Sequence, residues 1–254
     1  MSGHGIPGRP LAQIRVGWMK GAFYSCSPMA DRHKAPLELK ETRLRTLFLV
    51  ITLVFGVTFL VLPRNSGGWL WDIGGALGFL AFAGMLFQMI PYPRTSTNTS
   101  KRHEVLGYWV LGTAIAHAFW LLTGDGVMHL YLKPGAPFYM WFGLVAIVAL
   151  AVLAVLARMP DRMRVHRRFP VFRRVHRILA FFGVGSAALH IMLSGFYLPT
   201  WSQSVLIGVI LLAMCLGRSV WRRLPESPTA SGLSYLLIGG GAVGLFVLIR
   251  TLLS

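Results

Sequence analysis

The sequence predicts an all-α fold, a polytopic membrane helix bundle of about seven transmembrane helices, on three observations. Of the residues, 55% are hydrophobic and only 13% are charged, a mix far from that of a soluble domain. Apolar runs that suit a hydrocarbon core recur at 44–62, 73–90, 104–123, 137–157, 175–197, 202–218 and 231–252, the sixth being the shortest. The basic residues, finally, gather in alternate links between those runs instead of spreading along the chain.

Taken in order, residues 1–43 carry Gly, Pro and scattered charge without a sustained apolar period, and read as a mobile basic cytoplasmic tail. The remainder, 44–254, reads as the transmembrane bundle. With the N-terminus inside, the tail to Arg45 holds eight Lys or Arg, the 91–103 link three, the 158–177 link eight and the 218–230 link three. That puts 22 of 25 on one side and leaves Arg64, Lys133 and Arg250 on the other. The positive-inside rule then sets an odd number of spans, a cytoplasmic N-terminus and an outer C-terminus. A net charge of +17 is accounted for by basic loops facing anionic lipid, so the lipid bilayer is the expected partner and no nucleic acid is needed. The Arg-rich 158–177 link, with prolines at 160 and 170, has the composition of a short surface helix.

Other classes fall away on composition. No apolar stretch precedes Leu44, so no cleavable signal is expected. Cys26 and Cys215 are the two cysteines; they form no C-x-x-C pair, and neither a disulfide relay nor a structural zinc site has support. The last run contains Gly239-Gly240-Gly241-Ala242-Val243-Gly244, which satisfies G-x-G-x-x-G formally. It lies inside one apolar run with no strand before it, so Gly240 and Gly244 read as a G-x-x-x-G helix contact and not a dinucleotide site.

Histidines carry the functional signal. His103 and His117 stand fourteen residues apart in the third run, and His176 and His190 repeat that interval in the fifth. Fourteen residues rise about 21 Å and return to within about 40° of the starting direction, so each pair shares one helix face. Histidine in lipid is costly and needs a partner. Two helices, each offering two in register, supply two pairs of axial nitrogen ligands for two stacked haems. Both runs are odd-numbered, so both cross from cytoplasm to outside, placing His103 with His176 at the inner face and His117 with His190 further out. Between them on the same faces lie Gly107, Val110 and Ala114, and Ala180, Gly183 and Ala187. Five of these six are Gly or Ala, which leaves room for flat macrocycles.

The pattern His103-x-x-x-Gly107 then His117, followed by Phe172-Arg173-Arg174-Val175-His176-Arg177 then His190, resembles the ferric-reductase-like transmembrane domain, from about Thr46 to Trp221. That family includes ferric reductases, NADPH oxidases and the haem-binding membrane subunit of the bacterial methionine sulfoxide reductase system. The resemblance implies two haem b groups on the four histidines, electron transfer across the membrane, and residence in a bacterial inner (plasma) membrane. It also marks two departures. One further run follows Trp221, with no room for a fused flavin and nicotinamide domain, so the electron donor is expected to be a separate cytoplasmic flavoprotein reductase or a membrane quinol. Flavin or quinone would then be supplied non-covalently, and the chain would be the membrane electron-transfer subunit of an oxidoreductase. The seventh run is the second departure, and the resemblance gives it no role. Acceptors left open are ferric iron, oxygen and an extracytoplasmic redox partner.

Arg102, Arg173, Arg174 and Arg177 flank the inner histidines, either to pair with haem propionates or to meet lipid headgroups. Glu104 reads as a cap for the third span in preference to an orienter of His103. His129, Trp69, Trp71, Tyr131 and Trp201 lie on the outer side, as an acceptor site or as a solvated loop with an interfacial aromatic belt. His4, His33 and His166 suggest no site. The competing reading is a transporter whose intramembrane histidines bind a transition metal or relay protons; it requires ligands converging on one midplane site, with broken helices. A retinal-type receptor lacks its lysine in the seventh run.

Overall fold

A computed structural model of the chain describes residues 35–61, 68–90, 97–124, 133–158, 169–217 and 231–253. Among these residues there are seven helices and no strand: α1 Ala35–Thr58, α2 Trp69–Met89, α3 Thr97–Gly124, α4 Phe138–Arg158, α5 Phe169–Ser194, α6 Trp201–Leu216 and α7 Gly232–Leu253. Five of them, α2, α3, α4, α5 and α7, are long and apolar enough to cross a bilayer, while the apolar parts of α1 and α6 are shorter. The protein is a polytopic helical membrane protein. Helix α1 begins at Ala35, ahead of the apolar run that starts at Leu44.

Helix α2 is the centre of the bundle: 67% of its span is buried, against 17 to 22% for the other four long helices. Its sequence explains why. Gly74, Gly75, Gly78 and Gly84 leave no side chain in the way of Leu121, Tyr197, His117 and Val110, each of which comes too close for a Cβ at the facing glycine. Small residues of this kind let membrane helices approach where no hydrophobic driving force exists between them. The large apolar residues left exposed, such as Phe119, Val155, Ile178 and Leu248, point outward as lipid-facing residues should.

Around α2 the principal contacts are α2 with α3, α4 with α5 and α7 with α2, with α3 touching α4, and α6 resting on α5 and α2. Helices α3 and α5, which carry the phased histidines, are not among one another's main packing partners. A gap therefore runs between them, bordered by α2 and α4.

Helix α1 buries Leu47, Val50, Ile51 and Val54, the i, i+3, i+4, i+7 face of a helix. Beyond them the Phe55 ring meets Phe246 at 5.5 Å and Phe79 at 6.1 Å. Buried Gln203 donates through Nε2 to the Val57 carbonyl at 2.9 Å, a carbonyl of the last turn of α1 that otherwise accepts only the longer 3.4 Å bond from the Leu60 N–H. The same glutamine closes a capping box with Thr200 at the start of α6. Gly195, at φ +66°, takes the left-handed conformation that ends α5 and turns the chain toward α6.

Helix α7 docks through Gly232, Tyr235, Gly239 and Phe246, all buried. Gly232 lies under the Trp109 ring and Gly239 against Leu80, and the Tyr235 hydroxyl donates to the Leu80 carbonyl at 3.2 Å. The contact expected at Gly240 and Gly244 is corrected: a Cβ at either would meet open space. The docking face is set by the large residues Tyr235 and Phe246, and at 100° per residue Gly240 is turned off it.

Candidate functional site

Two imidazole pairs face each other across the gap between α3 and α5. The ring centroids of His103 and His176 lie 6.4 Å apart with planes at 57°, and those of His117 and His190 lie 6.2 Å apart with planes at 76°. The earlier histidine of α3 faces the earlier one of α5, and the later faces the later, so the two helices run in the same direction. The pairs occupy two levels separated by about 21 Å of helix rise.

The His117/His190 level is built by two helical hairpins that use the same device. His117 of α3 donates its Nδ1–H to the Gly74 carbonyl of α2 at 2.7 Å, and His190 of α5 donates its Nδ1–H to the Tyr139 carbonyl of α4 at 2.7 Å. A carbonyl only accepts, so each contact fixes the proton on Nδ1 and leaves Nε2 with its lone pair. Four residues beyond each acceptor stands a glycine. A Cβ at Gly78 would lie 2.8 Å from His117 Cε1, and one at Gly143 would lie 2.9 Å from His190 Nδ1. Those glycines are notches into which the imidazole edges fit. Each carbonyl already accepts a bond along its own helix, and the histidine takes its second lone pair.

Between the rings lies a cavity of about 310 Å³ lined by His117 and His190, within the size range of small-molecule and cofactor sites. Its lining includes the small residues Ala114 and Ala118 from α3, Ala187 from α5 and Ala146 from α4, together with Trp71 and Tyr197. Tyr197 is held there by a hydrogen bond from its hydroxyl to the Trp71 carbonyl at 2.7 Å. On the facing stripes Val110 and Gly183 are also buried, and a Cβ at Gly183 would meet Ala149 and Met85.

At the other level, the Phe172 ring leans on His176 at 5.8 Å, one helical turn before it. Arg102, Arg173, Arg174 and Arg177 are exposed around this level. Glu104 does not cap α3, which begins seven residues earlier at Thr97; its carboxylate accepts a hydrogen bond from Tyr108 at 2.9 Å. Trp69 and Trp201 are exposed at the first residues of α2 and α6, and Trp71 turns into the cavity. His129, Tyr131, His4, His33, His166 and Cys26 lie outside the described residues, and Cys215 is buried in α6.

Two imidazoles that ligate one metal ion from opposite sides, each nitrogen about 2 Å from the metal and about 1.1 Å from its own ring centre, set their centroids about 6.2 Å apart. Both pairs meet that requirement, and at the second level the Nδ1 bonds to carbonyls leave Nε2 as the nitrogen that would ligate. Hydrogen-bonded backbone carbonyls are the usual orienting partners of metal-bound histidine. The residues present therefore fit a bis-imidazole metal centre at each level. Among the described residues no three of His, Cys, Asp and Glu converge, so the ligands come together two by two and not at one midplane point.

Residues that sequence reasoning missed are Gly74, Gly78, Tyr139 and Gly143, which hold the second pair, and Asp72 with Arg250. Arg250 Nε lies 2.6 Å from Asp72 Oδ1, and both side chains are buried. The shared feature of the first set is a glycine four residues after each carbonyl acceptor, Gly78 after Gly74 and Gly143 after Tyr139, a spacing that residue type alone does not announce.

Residues 77–187 match the family model described as "Ferric reductase like transmembrane component". The match is narrower than the stretch expected from the motifs: it opens in α2 one residue before Gly78, takes in His103, His117 and His176, and closes three residues before His190. Neither the curated proteins nor the solved structures gave a match.

Proposed function

We infer that this chain, which carries a ferric-reductase-like transmembrane segment over residues 77–187, is a transmembrane electron conduit with a bis-histidine haem b at each of its two histidine levels. The observation that carries the reading is the pair of centroid separations, 6.4 and 6.2 Å, at two levels of parallel helices. Haem bound there would supply iron that takes up and releases single electrons at a potential set by axial ligands, burial and nearby charge. The protein's own part is to hold, orient and insulate.

His103 and His176 would hold the first haem, His117 and His190 the second. The Gly74 and Tyr139 carbonyls orient the ring planes of the second pair and hold a proton on each Nδ1, which leaves each Nε2 as the nitrogen available to ligate. The alanine and glycine flanks of the gap would leave room for a flat macrocycle between largely apolar walls. Arg102, Arg173, Arg174 and Arg177, exposed around the first level, would meet its carboxylates, since guanidinium pairs with them through two bonds.

With the basic links on the cytoplasmic side, the His103/His176 level faces inward. One electron at a time leaves a cytoplasmic flavoprotein or a membrane quinol, which is oxidised, and reaches an outer acceptor, which is reduced. Ferric iron, oxygen and a periplasmic redox protein are all chemically suited as acceptor. The chain would then be the membrane subunit of an oxidoreductase in a bacterial inner membrane. The transporter alternative needs one convergent midplane site, and no observation favours it.

The test is ligand by ligand. Replacing His103 or His176 by Ala should remove one haem and leave the other, and replacing His117 or His190 should remove the complementary one. Unchanged haem content in all four variants would sink the assignment.

A further inference from the structure

Charge buried in a membrane protein needs a reason, because taking two ions out of water costs about as much as their attraction returns. Asp72 of α2 and Arg250 of α7 are such a pair, 2% and 5% exposed, joined by a charge-assisted hydrogen bond of 2.6 Å from Nε to Oδ1. They lie 178 residues apart in sequence. Nothing in the ligation of the two histidine levels uses them.

Their surroundings point at the second level. Arg250 Cζ stands 5.0 Å from the centroid of the Tyr197 ring and 5.6 Å from that of Phe246. Tyr197 is itself a wall of the cavity that holds His117 and His190, and so is Trp71, the neighbour of Asp72. Tyr197 also packs directly on Gly75 of α2, where a Cβ would collide with its ring, so one ring touches the cavity, α2 and the Arg250 guanidinium together. Tyr197 feels both charges: burial, then the Asp72 carboxylate, raise its phenol above the ordinary range while Arg250 opposes them.

We propose that Asp72 and Arg250 are a positioning pair that tunes the redox potential of the His117/His190 centre, and that supplying this charge is the role of the seventh helix. The proposal rests on the two-haem reading. An electron arriving at the centre adds one negative charge, which a fixed cation favours and a fixed anion opposes. Arg250 is the member of the pair stacked on the cavity wall. Asp72 holds it there and offsets part of its field. A unit charge about 10 Å away, at an effective dielectric constant of about 20, shifts a one-electron equilibrium about tenfold or somewhat more, which corresponds to about 59 mV or above.

The test is an equilibrium redox titration of the full chain in detergent, followed by haem absorbance, with the second-level midpoint identified as the one missing from the His117→Ala protein. Asp72→Asn should raise that midpoint by about tenfold in the equilibrium, and Arg250→Gln should lower it, with the other midpoint unmoved. A purely structural staple would give no opposed signs, so shifts in one direction only, or none with both haems bound, overturn the proposal. If the single variants fail to assemble, the double variant Asp72→Asn with Arg250→Gln leaves no charge alone and should assemble with a lowered second-level midpoint; an unmoved one overturns the proposal equally. A native chain with no haem midpoint overturns the conduit reading, and this proposal with it, whereas two midpoints indifferent to these residues overturn the tuning alone.

Discussion

The Nδ1 atom of His117 lies 2.7 Å from the carbonyl oxygen of Gly74, and this one contact fixes which nitrogen of the ring is left for a ligand. The glycine four residues on makes the approach sterically possible. His190 repeats the arrangement with Tyr139 and Gly143. The two hairpins α2–α3 and α4–α5 thus present matching imidazoles to one cavity.

The notches are testable. Gly78→Ala or Gly143→Ala would set a methyl within about 3 Å of an imidazole edge, and rings held by packing on both sides cannot yield without leaving their carbonyl. Each variant should lose or weaken one haem, that of the His117/His190 level, while the other stays bound. A pyridine haemochrome assay against protein concentration checks it, and full haem content in both variants would show the notches to be dispensable.

On α7 the glycines should sort by face. Gly239→Ala drives a methyl into the Leu80 side chain and should destabilise the protein by about 1 kcal/mol or more. Gly240→Ala meets open space and removes a glycine from a helix interior, which favours the helix by about 0.5 to 1 kcal/mol. Thermal unfolding in detergent should therefore move in opposite directions for the two neighbours.

Gln203, fully buried, ties α6 to the end of α1 through the Val57 carbonyl. Gln203→Ala removes the shorter of the two bonds to that carbonyl, leaving the 3.4 Å one from the Leu60 N–H, and breaks the capping box of α6. A loss of about 0.5 to 1.5 kcal/mol is expected, read as a lower unfolding temperature with haem content unchanged before unfolding.

Alkaline pH should act through Tyr197, which lies in the link between α5 and α6. Burial first and the Asp72 carboxylate second raise its phenol above the ordinary value near 10. A raised value in the folded state contributes stability that is fully present below the unfolded value and is lost as pH climbs toward the folded one. Stability should then hold from neutral pH to about 10 and decline above it. Tyr197→Phe should blunt that decline while costing about 1 kcal/mol at neutral pH for the lost bond to Trp71.

Much of this was legible in the chain because periodicity survives folding. Apolar runs located all seven described helices, and a fourteen-residue interval alone puts each pair of histidines on one helix face. What stayed hidden depends on contacts that residue type does not announce. A backbone carbonyl accepts from His190 whether the residue is Tyr139 or any other. Asp72 and Arg250 meet only because α7 returns to the start of α2, which no local pattern specifies. Gly240 and Gly244 misled for a related reason: their spacing is that of a contact motif, but the large buried residues Tyr235 and Phe246 decide which face of α7 is used.

The central claim is that each histidine pair holds one haem. Haem stoichiometry of the detergent-purified native chain, by pyridine haemochrome assay with oxidised and dithionite-reduced spectra beside it, tests it most directly. Two low-spin b-type haems per chain is the result expected from two bis-imidazole sites; protein that stays free of haem after expression with ample haem supply would contradict it.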